Sequence, residues 1–149
     1  MANASTSPSG TRARPGRVLV VDDEPLLGDA LRRVLSSESE VVVVTEAADA
    51  LGRLERGERY DVVLCDLMMP AMDGIELHRR LSVTLPREAE RIVFVTGGAI
   101  TSRVDAFFRG VANLLLEKPI DIDDLRALIE RRVRGVPDDP RRAAGDSTA

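Results

Sequence analysis

The sequence has a single cysteine, Cys65, and a single histidine, His78. One thiol excludes an internal disulfide framework and any cysteine-rich zinc site. Cys65 lies within an apolar run, the ordinary setting of a small buried hydrophobe rather than of a reactive thiol. No apolar stretch approaches the roughly 20 residues that span a bilayer, and the N-terminus lacks the apolar core of a signal peptide. A soluble, cytoplasmic protein with no membrane partner is therefore expected. Basic residues are not in excess either, since 21 Lys and Arg against 25 Asp and Glu leave a net charge of −4. Nucleic acid is not an expected partner, because neutralising phosphates takes a basic face.

What is present is one domain's worth of alternating pattern. The 149 residues suffice for one domain with a core. Residues 1–16 and 135–149 are rich in Ser, Ala, Pro, Gly, Arg and Asp with almost nothing to bury, and read as disordered tails that add little to stability. The folded domain is expected at 17–134, with no room after it for an output domain.

Between the tails, RVLVVD (17–22), EVVVVT (40–45), YDVVLCD (60–66), RIVFVT (91–96) and ANLLLE (112–117) are continuous apolar runs. Such runs fit strands buried on both faces of a parallel sheet. Leu27, Ala30, Leu31, Val34 and Leu35 recur at helical spacing, as do Ile122, Leu125, Ile129 and Val133. Three further helices are expected over about 46–56, 74–83 and 101–109, the second ending before Pro86. Asp23 and Asp121 stand where helix N-caps are expected. The order predicts an α/β (βα)₅ domain with right-handed connections.

In an open parallel sheet, ligands bind beyond the carboxyl ends of the strands. Those ends carry Asp22 and Asp23, then Asp66, then Thr96, then Glu117, Lys118 and Pro119. Singly, Asp23 reads as a helix cap, Asp66 as a turn former, Thr96 as a loop start and Lys118 as a solvated charge. Together on one rim they point to a shared purpose. Clustered carboxylates repel unless a cation is present. A hard divalent ion with oxygen ligands, Mg²⁺ above others, resolves the repulsion. A metal beside a free carboxylate and a lysine also suits phosphoryl transfer, which is mostly positioning and charge neutralisation. Asp66 then reads as a carboxylate nucleophile that becomes an aspartyl phosphate.

VVDDEP (20–25), DLMMPAMDG (66–74), VTGG (95–98) and LEKP (116–119), in that order, resemble the receiver domain of two-component response regulators. The resemblance covers about residues 17–134. It implies a doubly wound, flavodoxin-like fold whose five-stranded parallel sheet has the order 2-1-3-4-5, with helices on both faces. It makes Asp66 the phosphoacceptor, with Asp23, Asp66 and the Met68 carbonyl holding Mg²⁺ and Asp22 acting mainly through metal-bound water. Thr96 and Lys118 would contact the phosphoryl oxygens, and the Lys118–Pro119 bond would be cis. The donor would be a histidine kinase or a histidine phosphotransfer protein. A downstream protein would dock on the face formed by the fourth helix, fifth strand and fifth helix.

The switch departs from the family pattern. Leu115 stands where Tyr or Phe is usual, and Gly97 replaces the small Ala usual after Thr96. Leucine is expected to stay buried in both states, so that the response falls on the 97–101 loop rather than on strand five. Two other readings stay open. A phosphohydrolase of the haloacid-dehalogenase type carries an Asp two residues after its nucleophile, where this chain has Met68. A receiver-like interaction module without phosphorylation would be expected to have lost a site residue, and none is lost. A dinucleotide site is excluded because DDEPLLG lacks a glycine-rich loop. His78 is expected on a solvated helix position, Phe107 in the core, Phe108 partly at the surface, and Arg126, Arg131, Arg132 and Arg134 on a solvated helix face.

Overall fold

The computed structural model describes residues 14–138, so the expectation of disorder at 1–13 and 139–149 lies outside the described residues. The elements are β1 (Gly16–Val21), α1 (Pro25–Leu35), β2 (Ser39–Val44), α2 (Ala47–Glu55), β3 (Val62–Asp66) and α3 (Gly74–Thr84). They continue with α4 (Pro86–Glu90), β4 (Ile92–Thr96), α5 (Ser102–Arg109), β5 (Leu115–Glu117) and α6 (Ile122–Val133). The five strands are all parallel, in the order β2-β1-β3-β4-β5. This is the doubly wound, flavodoxin-like arrangement.

Each continuous apolar run divides between two cores, because successive strand residues face opposite sides of the sheet. Leu19, Val21, Val63, Cys65, Ile92 and Phe94 face α2, α3, α4 and α5, where Ala50, Leu54, Leu77, Leu81, Ala89 and Val104 meet them. Val18, Val20, Val62, Leu64, Val93 and Val95 face α1 and α6, against Leu31, Leu35, Leu125, Leu128 and Ile129. Phe94 is fully buried, and truncating such a side chain to alanine costs about 3–5 kcal/mol. α1 lies close on β2: a Cβ at Gly28 would come 2.4 Å from a Val43 methyl.

Several local expectations are corrected. The segment after α3 forms the short helix α4, opened by Pro86 at its first turn, where a missing N–H costs nothing. The fourth and fifth helices read from the sequence are therefore α5 and α6. β5 is shorter than its apolar run, starting at Leu115. Asp23 does not cap α1. Glu24 occupies that position without a side-chain cap, and its N–H donates to Asp22 Oδ1 at 2.9 Å. Asp121 does cap α6, accepting from the Asp124 N–H at 3.0 Å. In α1, Ala30 and Val34 are exposed, and Gly28 joins Leu31 and Leu35 on the buried stripe.

Two charged or polar positions read as solvated are not. The His78 ring is half-buried, 5.1 Å from Phe107 edge-on and 6.1 Å from Phe94, and burial holds its pKa down. Phe107 and Phe108 are both partly buried, packed edge-to-face on Phe94. The Arg132 side chain is only 9% exposed. It donates to the carbonyls of Asp61 at 2.8 Å and Arg91 at 3.0 Å, and it pairs through two nitrogens with Asp138. Asp61 in turn accepts both Arg14 guanidinium nitrogens, at 2.7 and 2.9 Å, and the Arg17 N–H at 2.8 Å. Arg14 and Asp138, read as tail residues, thus contact the domain, and Gly16 opens β1. Among the described residues no helix is long and apolar enough to cross a membrane.

Candidate functional site

The parallel sheet delivers its strand ends to one rim. Asp22 follows β1 directly, is 1% exposed, and donates its N–H to the Val44 carbonyl at 3.1 Å. Asp66 closes β3 and is 9% exposed. Its Oδ1 accepts the Met68 N–H at 3.2 Å. The chain then reverses through Ala71 at φ 63°, a left-handed conformation uncommon for alanine, and enters α3 at Gly74. A Cβ at Gly74 would sit 2.8 Å from the Asp66 carbonyl, so glycine is what lets α3 begin against the end of β3.

Thr96 closes β4 beside it, 4% exposed, with its hydroxyl 3.4 Å from both the N–H and the carbonyl oxygen of Gly98. Lys118 follows β5 and donates its N–H to the Thr96 carbonyl at 2.8 Å, and its bond to Pro119 is cis. The Lys118 ammonium reaches back over the sheet to Asp22 Oδ2 at 3.1 Å and Asp66 Oδ2 at 3.4 Å. Carboxylate oxygens of Asp22, Asp23 and Asp66 lie within 4.8 Å of one another.

The electrostatics follow from this crowding. Burial pushes the Asp66 carboxyl above the usual range, and the Asp22 charge adds to it, against the Met68 N–H and Lys118. Burial works against the Lys118 ammonium, yet Asp22 and Asp66 outweigh it and hold its pKa up. One ammonium pairs with two carboxylates of a cluster of three, which leaves negative charge to be neutralised. The donors are all oxygen, two of them largely buried, and this set fits a hard divalent cation such as Mg²⁺. Cys65, buried beneath the rim, has its thiol pushed far up by burial and by Asp66, and is inert.

Asp22, Asp23, Asp66 and Lys118 are thus brought together, with Thr96 on the adjacent strand end. The Met68 side chain points outward, 61% exposed. Leu115 lies in register with Phe94 and packs partly buried against the core. One pair was missed from the sequence. Asp73 caps α3, accepting the Glu76 N–H at 3.0 Å, and its second oxygen accepts Arg103 Nη1 at 2.9 Å. The Asp-Gly step before α3 signals the cap, whereas nothing local singles out Arg103.

The whole described chain apart from its ends matches one family profile, the response regulator receiver domain, over residues 18–130. The chain belongs to that family. This receiver is 35% identical over 134 residues to the transcriptional regulatory protein TcrA of Mycobacterium tuberculosis, covering 87% of this chain and 51% of TcrA. It is similar to a solved response regulator receiver protein from Pseudomonas putida, at 30% identity and TM-score 0.66, covering 80% of this chain and 98% of that one. A receiver domain protein from Methanospirillum hungatei matches with TM-score 0.69 at 26% identity, covering 81% and 95%. The receiver spans about half the length of the first curated relatives it matches.

Proposed function

We propose that this receiver accepts a phosphoryl group on Asp66 from the phosphohistidine of a histidine kinase or phosphotransfer protein, and signals by protein contact. The observation that carries the reading is the placement of the Asp66 carboxylate at the open end of β3, flanked by Asp22, Asp23 and the Lys118 ammonium. An Asp66 oxygen attacks phosphorus, and the phosphorus–nitrogen bond to the donor imidazole breaks. The electron pair leaves with the imidazole, and an acyl phosphate remains.

Asp22, Asp23 and Asp66, with the Met68 carbonyl, would hold Mg²⁺, which supplies charge neutralisation for the transferring group. Lys118 stands beside the same carboxylate, so its ammonium pairs with a phosphoryl oxygen as a point charge. The Thr96 hydroxyl, bound only at 3.4 Å within its own loop, is free to turn to another. The added charge of about −1.5 to −2 then biases two arrangements of the loop and α5. β5 is one of the two edge strands, and the surface of α5, β5 and α6 beside it is the face offered to a downstream protein.

Incubation with a small-molecule phosphodonor and Mg²⁺, read by intact mass, tests the assignment. One phosphoryl mass is expected on the wild type and none on Asp66→Asn. Labelling retained in that variant would move the acceptor elsewhere.

A further inference from the structure

α5 is fastened unequally along its length. Its second half is anchored by the aromatic cluster, with Phe107 and Phe108 edge-on to Phe94 and Phe107 against His78. Its first turn has one buried side chain, Val104. The loop before it, residues 97–101, is exposed, and Gly98 has open space around it. Among the described residues, the side-chain hydrogen bond that ties residues 97–104 to another element is Arg103 Nη1 to Asp73 Oδ2, at 2.9 Å across 30 residues of sequence. Asp73 is a firm anchor. It caps α3, is the more enclosed partner at 20% exposure, and begins the helix that Gly74 seats against the Asp66 carbonyl.

We propose that Arg103 is a positioning residue whose ion pair with Asp73 latches the first turn of α5 to the start of α3, and so sets how readily the 97–104 segment rearranges for a phosphoryl group on Asp66. The inference deepens the phosphoacceptor reading and rests on it. For the Thr96 hydroxyl to meet a group on Asp66, it must leave Gly98, and the loop that follows runs through the Thr101 cap directly into Arg103. The latch resists that displacement. A ligand that selects the displaced arrangement therefore binds more tightly once the latch is gone, by the factor the latch contributed to the resting one. An ion pair of this exposure is worth about twofold to fivefold.

Two variants separate the charge from the scaffold. Asp73→Asn keeps a capping oxygen for the Glu76 N–H and removes the charge. Arg103→Gln removes the cation on an exposed helix face. Hydrogen exchange of the ligand-free protein should show the 98–104 amides about twofold to fivefold faster in each, with the double variant no faster than either single one. Arg103→Lys, which keeps a cation, should stay near wild type. Titration with Mg²⁺ and beryllium fluoride, a phosphoryl mimic, should give tighter binding by the same factor in Arg103→Gln and Asp73→Asn. Unchanged exchange in both, or additive effects in the double variant, would overturn the latch. Tight binding no better than wild type would overturn its coupling to the site. If the wild type takes up no mimic at all, the phosphoacceptor reading fails, and the exchange data still judge the latch by themselves.

Discussion

Lys118 stands 3.1 Å from Asp22, reached over 96 residues of sequence, and with this one ammonium the protein holds three carboxylates at a single rim. Burial first, and the Asp22 charge after it, keep the Asp66 pKa raised in spite of that ammonium. A carboxyl whose folded pKa lies above its unfolded value favours folding at low pH, and that contribution is lost as pH rises through the folded pKa. At neutral pH the ionised Asp66 therefore costs stability. Asp66→Asn should raise stability in chelator by about 1 kcal/mol, a few degrees in thermal midpoint. Calorimetry showing a lower midpoint would contradict the picture of a strained acidic rim.

The same surplus of negative charge should make Mg²⁺ a stabilising ligand. The wild-type midpoint should rise with Mg²⁺ and return on chelation. Asp23→Asn removes one candidate ligand and should weaken Mg²⁺ binding by at least about tenfold in calorimetric titration. Equal affinity in the variant would remove Asp23 from the ligand set.

At the other end of the sheet, Asp61 carries the opposite sign. Burial raises its pKa, but the Arg14 guanidinium and the Arg17 N–H outweigh burial and hold it below the usual range. Its contribution is present above the unfolded pKa and lost as pH falls through the lower folded one. Asp61→Asn should cost about 1–3 kcal/mol at pH 7 by urea unfolding. That gap should close progressively below about pH 4. A gap independent of pH would mean that shape, not charge, matters at this position.

Leu115 packs against the core in register with Phe94 and has no polar tip to move between water and interior. Saturation with the beryllium fluoride mimic should therefore shift amide resonances mainly in 97–101 and the start of α5, with β5 nearly still. Large changes at Leu115 with a silent loop would reverse this assignment.

The strands and the placement of polar residues at their ends were legible because both are local signals. An apolar run announces burial on two faces, and a carboxylate, hydroxyl or ammonium at its end lies on the rim by topology alone. Arg132, His78 and Arg103 were not legible, because each contact depends on a partner far away in sequence. Arg132 meets Asp61 across 71 residues, and Arg103 meets Asp73 across 30. A charged residue on a helix reads as solvated until the chain shows which carbonyl or carboxylate lies beneath it. α4 was hidden for a different reason: five residues are too few to show a period, and Pro86 marks the end of one helix as readily as the start of the next.

Lys118 is also the only lysine in the chain, every other basic side chain apart from His78 being arginine. Amine reagents that leave guanidinium groups untouched thus have one side-chain target, and it lies between Asp22 and Asp66. Reductive methylation with carbon-13 formaldehyde would place a single side-chain NMR reporter there, separate from the terminal amine. Its chemical shift would follow cation binding and charge transfer at the rim without any engineered label.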